Sequence, residues 1–230
     1  MKYFFKFILL SIGFLMLYSC ETNNDEDRYP YYRFSPEDEQ LIINYDYVPD
    51  QIITYRNQFG EELNFKIISN ERKKRGYYSR GTLSGGGGHL QNYYDSKIIR
   101  IDILENVGNT GGSGDYTAVN YVFSKNDNEF KNGLNFPMWN VQLFSFINEI
   151  QDNVNMYLRD YNNIQKTTLN VNGHLFEKVV EINSGSDDSN NSFLFGSLVQ
   201  NVNQIYYDYE FGVIQFKDIE GNEWKVIYPE

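Results

Sequence analysis

Alternation of apolar and polar positions is the dominant signal along the chain. Ile99, Ile101 and Ile103 alternate with Arg100 and Asp102, Val119, Tyr121 and Phe123 follow in the same rhythm, and Phe176, Val180 and Ile182 lie in another apolar run bounded by polar turns. A period of two is that of a strand with one face buried. Between 167–171 and 175–180 stands Asn172-Gly173, which predicts a type I′ hairpin because both central residues must take positive φ. Ile53, Tyr55, Gly60, Glu62, Leu63 and Phe65 recur with the spacing of Ile214, Phe216, Gly221, Glu223, Trp224 and Val226. Each set reads as a hairpin whose glycine takes the left-handed conformation of a bulged turn. Two copies are too few for a solenoid, and they predict a sheet whose first and last hairpins are alike.

The stretch from Pro137 to Tyr161 departs from this rhythm. Trp139, Leu143, Phe146, Ile150, Val154, Tyr157 and Tyr161 fall at intervals of three and four, the spacing of a helix face, and Pro137 suits a first turn. The same residues alternate as Val141, Leu143 and Ser145 and are rich in Asn, a poor helix former. One helix within 138–160 and a strand are both open readings of it. The fold class is mainly β: a single antiparallel β domain, a curled half-barrel or a sandwich, with at most that one helix.

Composition narrows the function classes. The chain has 230 residues, 41% hydrophobic and 22% charged, enough for a buried core. Its formal charge of -11 disfavours phosphate backbones, so nucleic acid is not an expected partner. One Cys and two His leave no internal disulfide and few ligands for a soft metal, and no cofactor is expected. Nothing in the pattern calls for a second copy, and a monomer is expected.

The amino terminus carries an address. Lys2 and Lys6 precede an apolar run from Phe7 to Leu17, and an acidic stretch beginning at Glu21 follows Cys20. The run is shorter than the roughly twenty residues of a spanning helix and reads as a cleaved export signal. Leu17, Ser19 and Cys20 resemble the lipobox of bacterial lipoproteins, with Leu three positions before the Cys and a small residue one before it. That resemblance implies cleavage before Cys20, a diacylglycerol on its thiol and acylation of the new amino group. Residues 1–19 are then the signal, 20–44 an acidic tether and 45–230 the β domain. The cleaved chain would carry 18 basic against 31 acidic residues, a formal -13, so several acyl chains, not charge, would hold it at a membrane. Asp25-Glu26-Asp27 close behind Cys20 resembles the acidic export signal of Bacteroidetes surface lipoproteins, and a plain solvated linker is the other reading.

The carboxy-terminal strand from Ile205 to Phe216, with Tyr206-Tyr207 entering a turn before Gly212-Val213-Ile214, resembles the endings of Bacteroidetes outer-membrane and surface lipoproteins. Thr168-Leu169-Asn170-Val171-Asn172-Gly173, with Phe176 and Val179, resembles the strand-turn-strand that precedes it there. The likeness implies a location at the outer membrane and a β fold, and no activity.

Candidate chemistry is sparse. The run Gly81 to His89 and the run Gly108 to Gly114 are glycine-rich, but neither has the Lys-Ser/Thr of a phosphate-cradling loop. No nucleophile elbow precedes His89 or His174. Glu61-Glu62, Asp187-Asp188 and Glu220 with Glu223 are the acids that a glycosidase would have to bring together across a cleft, and all lie in predicted turns. Asp187 and Asp188, in the Asn/Ser/Asp run 183–190, are candidate ligands for a structural calcium ion. With 20 Tyr and 17 Phe, aromatic rings are the surplus, and Tyr77, Tyr93, Tyr206 and Tyr207 are the candidate ligand-binding residues. The paired tyrosines put one ring on each face of a strand. The expected role is a non-catalytic binding or structural domain, lipid-anchored through Cys20, with a glycan, lipid or protein as ligand. A lipid carrier with an apolar cavity and a carbohydrate-active enzyme using paired carboxylates are the alternatives.

Overall fold

The computed structural model describes residues 28–79, 88–107, 118–140, 145–147, 152–188 and 197–229. The strands are β1 (Tyr31–Tyr32), β2 (Ile52–Arg56), β3 (Glu62–Tyr78), β4 (Leu90–Ile103), β5 (Val119–Ser124), β6 (Lys131–Asn135), β7 (Ser145–Ile147), β8 (Asp152–Val154), β9 (Met156–Tyr157), β10 (Thr167–Val171), β11 (His174–Asn183), β12 (Val202–Asp208), β13 (Gly212–Asp218) and β14 (Glu223–Ile227). A short α-helix, α1 (Pro36–Glu39), interrupts them near the start. Twelve strands form one curled half-barrel sheet in the order β10-β11-β12-β13-β14-β2-β3-β4-β5-β6-β9. All neighbours on that path are antiparallel, and β1 lies off it, parallel to β4. β7 and β8 form a separate two-stranded sheet.

The repeated hairpins stand side by side. β13-β14 and β2-β3 meet through β14 and β2, with Val226 opposite Tyr55. Their turns are built alike: Gly60 N donates to Asn57 O and Asn57 N to Glu61 O, while Gly221 N donates to Asp218 O and Asp218 N to Asn222 O. Gly60 and Gly221 both have positive φ, as a three-residue loop closed by a bulge requires. Gln58 links the two turns, its Oε1 accepting from Glu223 N at 2.9 Å. At 172–173 both central residues have positive φ, the type I′ geometry expected there.

Curvature places one apolar face inward. Register shifts at Ile67/Ser69, Tyr77/Tyr78, Thr167/Leu169, Val202/Gln204 and Tyr206/Tyr207 bend the strands as bulges do. The inner face is filled by rings: Tyr55 lies 4.5 Å from Phe65 and 5.4 Å from Phe216, and Phe136 lies 5.2 Å from Phe216. Beyond β6, Val202 N donates to Met138 O and Asn140 N to Val202 O, which draws the chain back against the start of β12.

One open reading closes against the helix, and one boundary moves. The described residues of 138–160 form no α-helix: Ser145–Ile147, Asp152–Val154 and Met156–Tyr157 are strands and Leu158–Tyr161 is a 3-10 turn. Residues 141–144 and 148–151 lie outside the described residues. The amide of Asn155 explains the extended conformation nearby, since its Oδ1 accepts from Phe136 N at 3.0 Å and its Nδ2 donates to Phe136 O at 2.8 Å. Residues 28–44 of the expected tether are part of the fold. Phe34, Ile42 and Ile43 are buried in the main core, at spacings that no helix or strand period would reveal. Ser35 caps α1 with a capping box in which Asp38 reaches back to Ser35 N, and the same Asp38 carboxylate pairs with Lys125 Nζ at 2.7 Å, their side chains only 9% and 12% exposed. Asp95 of β4 accepts from Tyr31 Oη at 2.5 Å and from Phe34 N at 3.0 Å. The segment is thus strapped across the sheet by two carboxylates.

Gly212 has φ +103, and a Cβ there would sit 2.8 Å from Tyr121 Oη and 2.9 Å from its Cζ, whereas Gly60 has φ +86 and open space around it. Gly60→Ala is expected to cost about 1 kcal/mol through φ strain alone, and Gly212→Ala about 3 kcal/mol or more because the clash with a fixed ring adds to it. Urea denaturation of both variants checks this, and equal losses would show that Tyr121 is not fixed.

Candidate functional site

The structure divides the tyrosines into two populations. Tyr47, Tyr55, Tyr94, Tyr121, Tyr207 and Tyr209 are buried. Three of their hydroxyls serve the backbone around the β12-β13 turn: Tyr47 Oη donates to Phe211 O at 2.5 Å, Tyr55 Oη donates to Val213 O at 2.6 Å, and Tyr121 Oη accepts from Val213 N at 3.0 Å. Tyr209 Oη donates to Asn162 Oδ1 at 3.2 Å. Tyr207, expected among the ligand-binding residues, is 0% exposed and packs 5.2 Å from Tyr209 and 6.2 Å from Tyr121. It has no surface to offer a ligand. Its neighbour Tyr206 faces outward, opposite Glu181 and Gln215, and partial burial followed by the charges of Glu181 and Glu223 raises its pKa.

Tyr77 and Tyr93 lie on a long arm made by the outer halves of β3 and β4. Tyr93 stands opposite Gly76 and beside Tyr31, while Tyr77 stands opposite Asn92 and so points to the other face. Lys74, two residues before Gly76, shares the face of Tyr93 and holds its ammonium 3.9 Å from that ring and 4.6 Å from Tyr31. The Arg33 guanidinium lies 4.8 Å from Tyr31 on its own account. Cations over ring faces at these distances are attracted by the ring quadrupole. One face of the strap and arm therefore interleaves rings and cations, Arg33, Arg72 and Lys74 with Tyr31, Tyr78 and Tyr93, while Lys73, Arg75 and Tyr77 lie on the other face. Tyr206 does not join it, because β13, β14 and β2 intervene between β12 and β3.

Apart from this surface, Tyr45, His174, Phe176, Phe211 and Tyr228 line a cleft of about 180 Å³. His174 stacks on Tyr228 at 3.6 Å and 8°, which makes one flat aromatic platform. Pattern reading placed His174 in an exposed turn and missed this partnership with a ring more than fifty residues away. Glu177, Asp208 and Glu210 border the cleft. A wider polar groove of about 520 Å³ runs between Asn172 and the β14-β2 seam, lined by Arg56, Gln58, Glu223 and Lys225.

The carboxylates work as structural acceptors. Asp208 accepts from the backbone N–H groups of Lys178, Glu210 and Phe211. Asp218 accepts from Asn222 N and Nδ2, and Glu105 from Asn64 N and Nδ2. Each acid of the expected catalytic pairs in the hairpin turns has its own local partner: Glu61 takes Asn57 Nδ2, Glu62 takes Arg56, Glu220 takes Asn201 Nδ2 and Glu223 takes Lys225. Asp187 and Asp188 are exposed neighbours, and among the described residues no three His, Cys, Asp or Glu side chains converge as a metal site. Cys20 and the glycine runs 81–87 and 108–114 lie outside the described residues.

Burial raises the pKa of Tyr47, Tyr55, Tyr121, Tyr207 and Tyr209, in each case chiefly by desolvating the phenolate. A folded pKa above the unfolded value of about 10 leaves stability intact below that pH and removes it as pH rises toward the folded values. Titration followed at 295 nm is expected to show these five tyrosines ionising together with loss of near-UV circular dichroism above about pH 10, separately from the surface rings. Simple ionisation of every tyrosine in the native state would contradict the buried assignment. Compared with protein-family models, curated proteins and solved structures, the chain matches none.

Proposed function

We propose that the protein is a non-catalytic binding or structural domain of the cell envelope, held at the outer membrane by lipid on Cys20. The observation that supports it best is how its reactive groups are spent. The carboxylates most able to do chemistry accept backbone N–H groups or pair with a neighbouring cation or amide, and the inward rings pack against one another. An enzyme with paired carboxylates would hold them across a cleft about 5 to 9.5 Å apart with room for a sugar, and a carrier would line a hollow with its rings. Here accessible aromatic groups sit outside, on the arm, at the His174–Tyr228 platform and at Phe59. Accessible rings of this kind recognise ligands by stacking and desolvation without consuming them.

Two measurements test the reading. Metabolic labelling with a fatty-acid probe is expected to mark the chain and to fail on Cys20→Ser, and a labelled Cys20→Ser would refute the anchor. Native mass spectrometry of gently purified protein is expected to give the mass of the lipidated chain alone. A further discrete lipid-sized adduct would overturn the non-carrier assignment.

A further inference from the structure

The strap and the arm put the entry point of the chain beside a basic, aromatic surface of an otherwise acidic protein. Cys20 precedes Arg28 by eight positions, a span of at most about 29 Å in any conformation. Three residues beyond Arg28, Tyr31 pairs with Tyr93 on the outer half of β4. The seventeen residues of β3 put the opposite end of the sheet, at the turn bearing Phe59, roughly 50 Å farther away. The tether therefore begins at the arm and, even at full stretch, falls short of Phe59.

From this we infer that the arm docks on the phosphate-bearing lipid headgroups of the bilayer that anchors Cys20. The inference rests on the anchor proposed above. The chemistry on this face is that of an interface: Tyr31, Tyr78 and Tyr93 offer amphipathic rings, and Arg33 and Lys74 offer cations on stems long enough to reach headgroup oxygens. Tyr78 is 56% exposed. The acids beside this face are already paired, Glu39 with Arg72, and Asp95 with Tyr31 and Phe34. Exposed pairs such as Arg72 with Glu39 hold weakly in water and exchange readily for a phosphate partner. The tether adds Glu21, Asp25, Glu26 and Asp27, so ring burial at the interface has to supplement charge. Because so short a tether makes the encounter intramolecular, even weak attraction suffices. Docking by this end leaves the His174–Tyr228 platform and the paired hairpin turns to face away from the membrane.

The test uses the full lipidated chain in vesicles of phosphatidylethanolamine and phosphatidylglycerol containing a headgroup nitroxide lipid. The natural thiol is consumed by the anchor, so Tyr78→Cys or Phe59→Cys each gives a single position for a fluorophore. The expected result is about twofold or greater quenching at position 78 with little at position 59, reduced when Arg33 and Lys74 are both changed to Gln. Equal quenching at the two positions overturns the docking. Quenching at 78 that survives the double substitution overturns its assignment to headgroup phosphates. An intact mass showing unmodified Cys20 refutes the anchor itself, a failure distinct from either.

Discussion

Tyrosine hydroxyls converging on the β12-β13 turn are the constraint on which the rest of this structure depends. Phe211 and Val213 receive hydroxyls from Tyr47 and Tyr55 on their carbonyls, and Val213 donates its N–H to Tyr121. These three rings come from the loop before β2, from β2 and from β5, all of them far from the turn in the chain. A buried hydroxyl without a partner is costly, and the turn and the start of β13 supply backbone groups to these three. Gly212 is the corollary, since the ring of Tyr121 occupies the space that any Cβ would need. Asp208 completes the arrangement by fixing the turn from its other side with three backbone N–H groups.

Much of this was legible in the sequence, for identifiable reasons. Strict alternation at Ile99, Ile101 and Ile103, the Asn172-Gly173 turn and the matched glycines 60 and 221 are local signals, and local geometry follows them. The adjacency of the two matched hairpins was not legible, because equal spacing reveals likeness and not proximity. The strap was hidden for another reason: Phe34, Ile42 and Ile43 are buried from a capped turn and irregular chain, where no period exists. Between Tyr206 and Tyr207, alternation assigns opposite faces but cannot say which is inward, and the bulge between them shifts the register at that point. In 138–160 helical spacing competed with strand alternation, and Asn155, by bonding the backbone of Phe136, supplies tertiary support to the extended form.

The polar inventory shows how an acidic chain keeps an ordered core. Asp38 is the clearest instance, capping α1 and receiving the ammonium of Lys125 in a setting where neither charge has much water. Removing one partner of such a pair leaves the other desolvated and alone. The strap thus depends on a charge match as much as on its apolar side chains. Lys97 contributes in the same way, donating from a partly buried ammonium to Ile43 O at 2.6 Å. Desolvation lowers its pKa, and the nearby Arg72 lowers it further.

The pairing of β14 with β2 has a temporal meaning as well as a spatial one. Strand β2 is made early and its edge partner very late, so during synthesis one side of Ile52–Arg56 is a row of unmatched N–H and C=O groups awaiting Glu223–Ile227. Sheet closure of this kind is non-local and slow compared with helix formation. A chain so ordered stays open until its last strands emerge. For a protein proposed to cross a membrane before acquiring its anchor, late closure keeps the polypeptide threadable while it is still in transit.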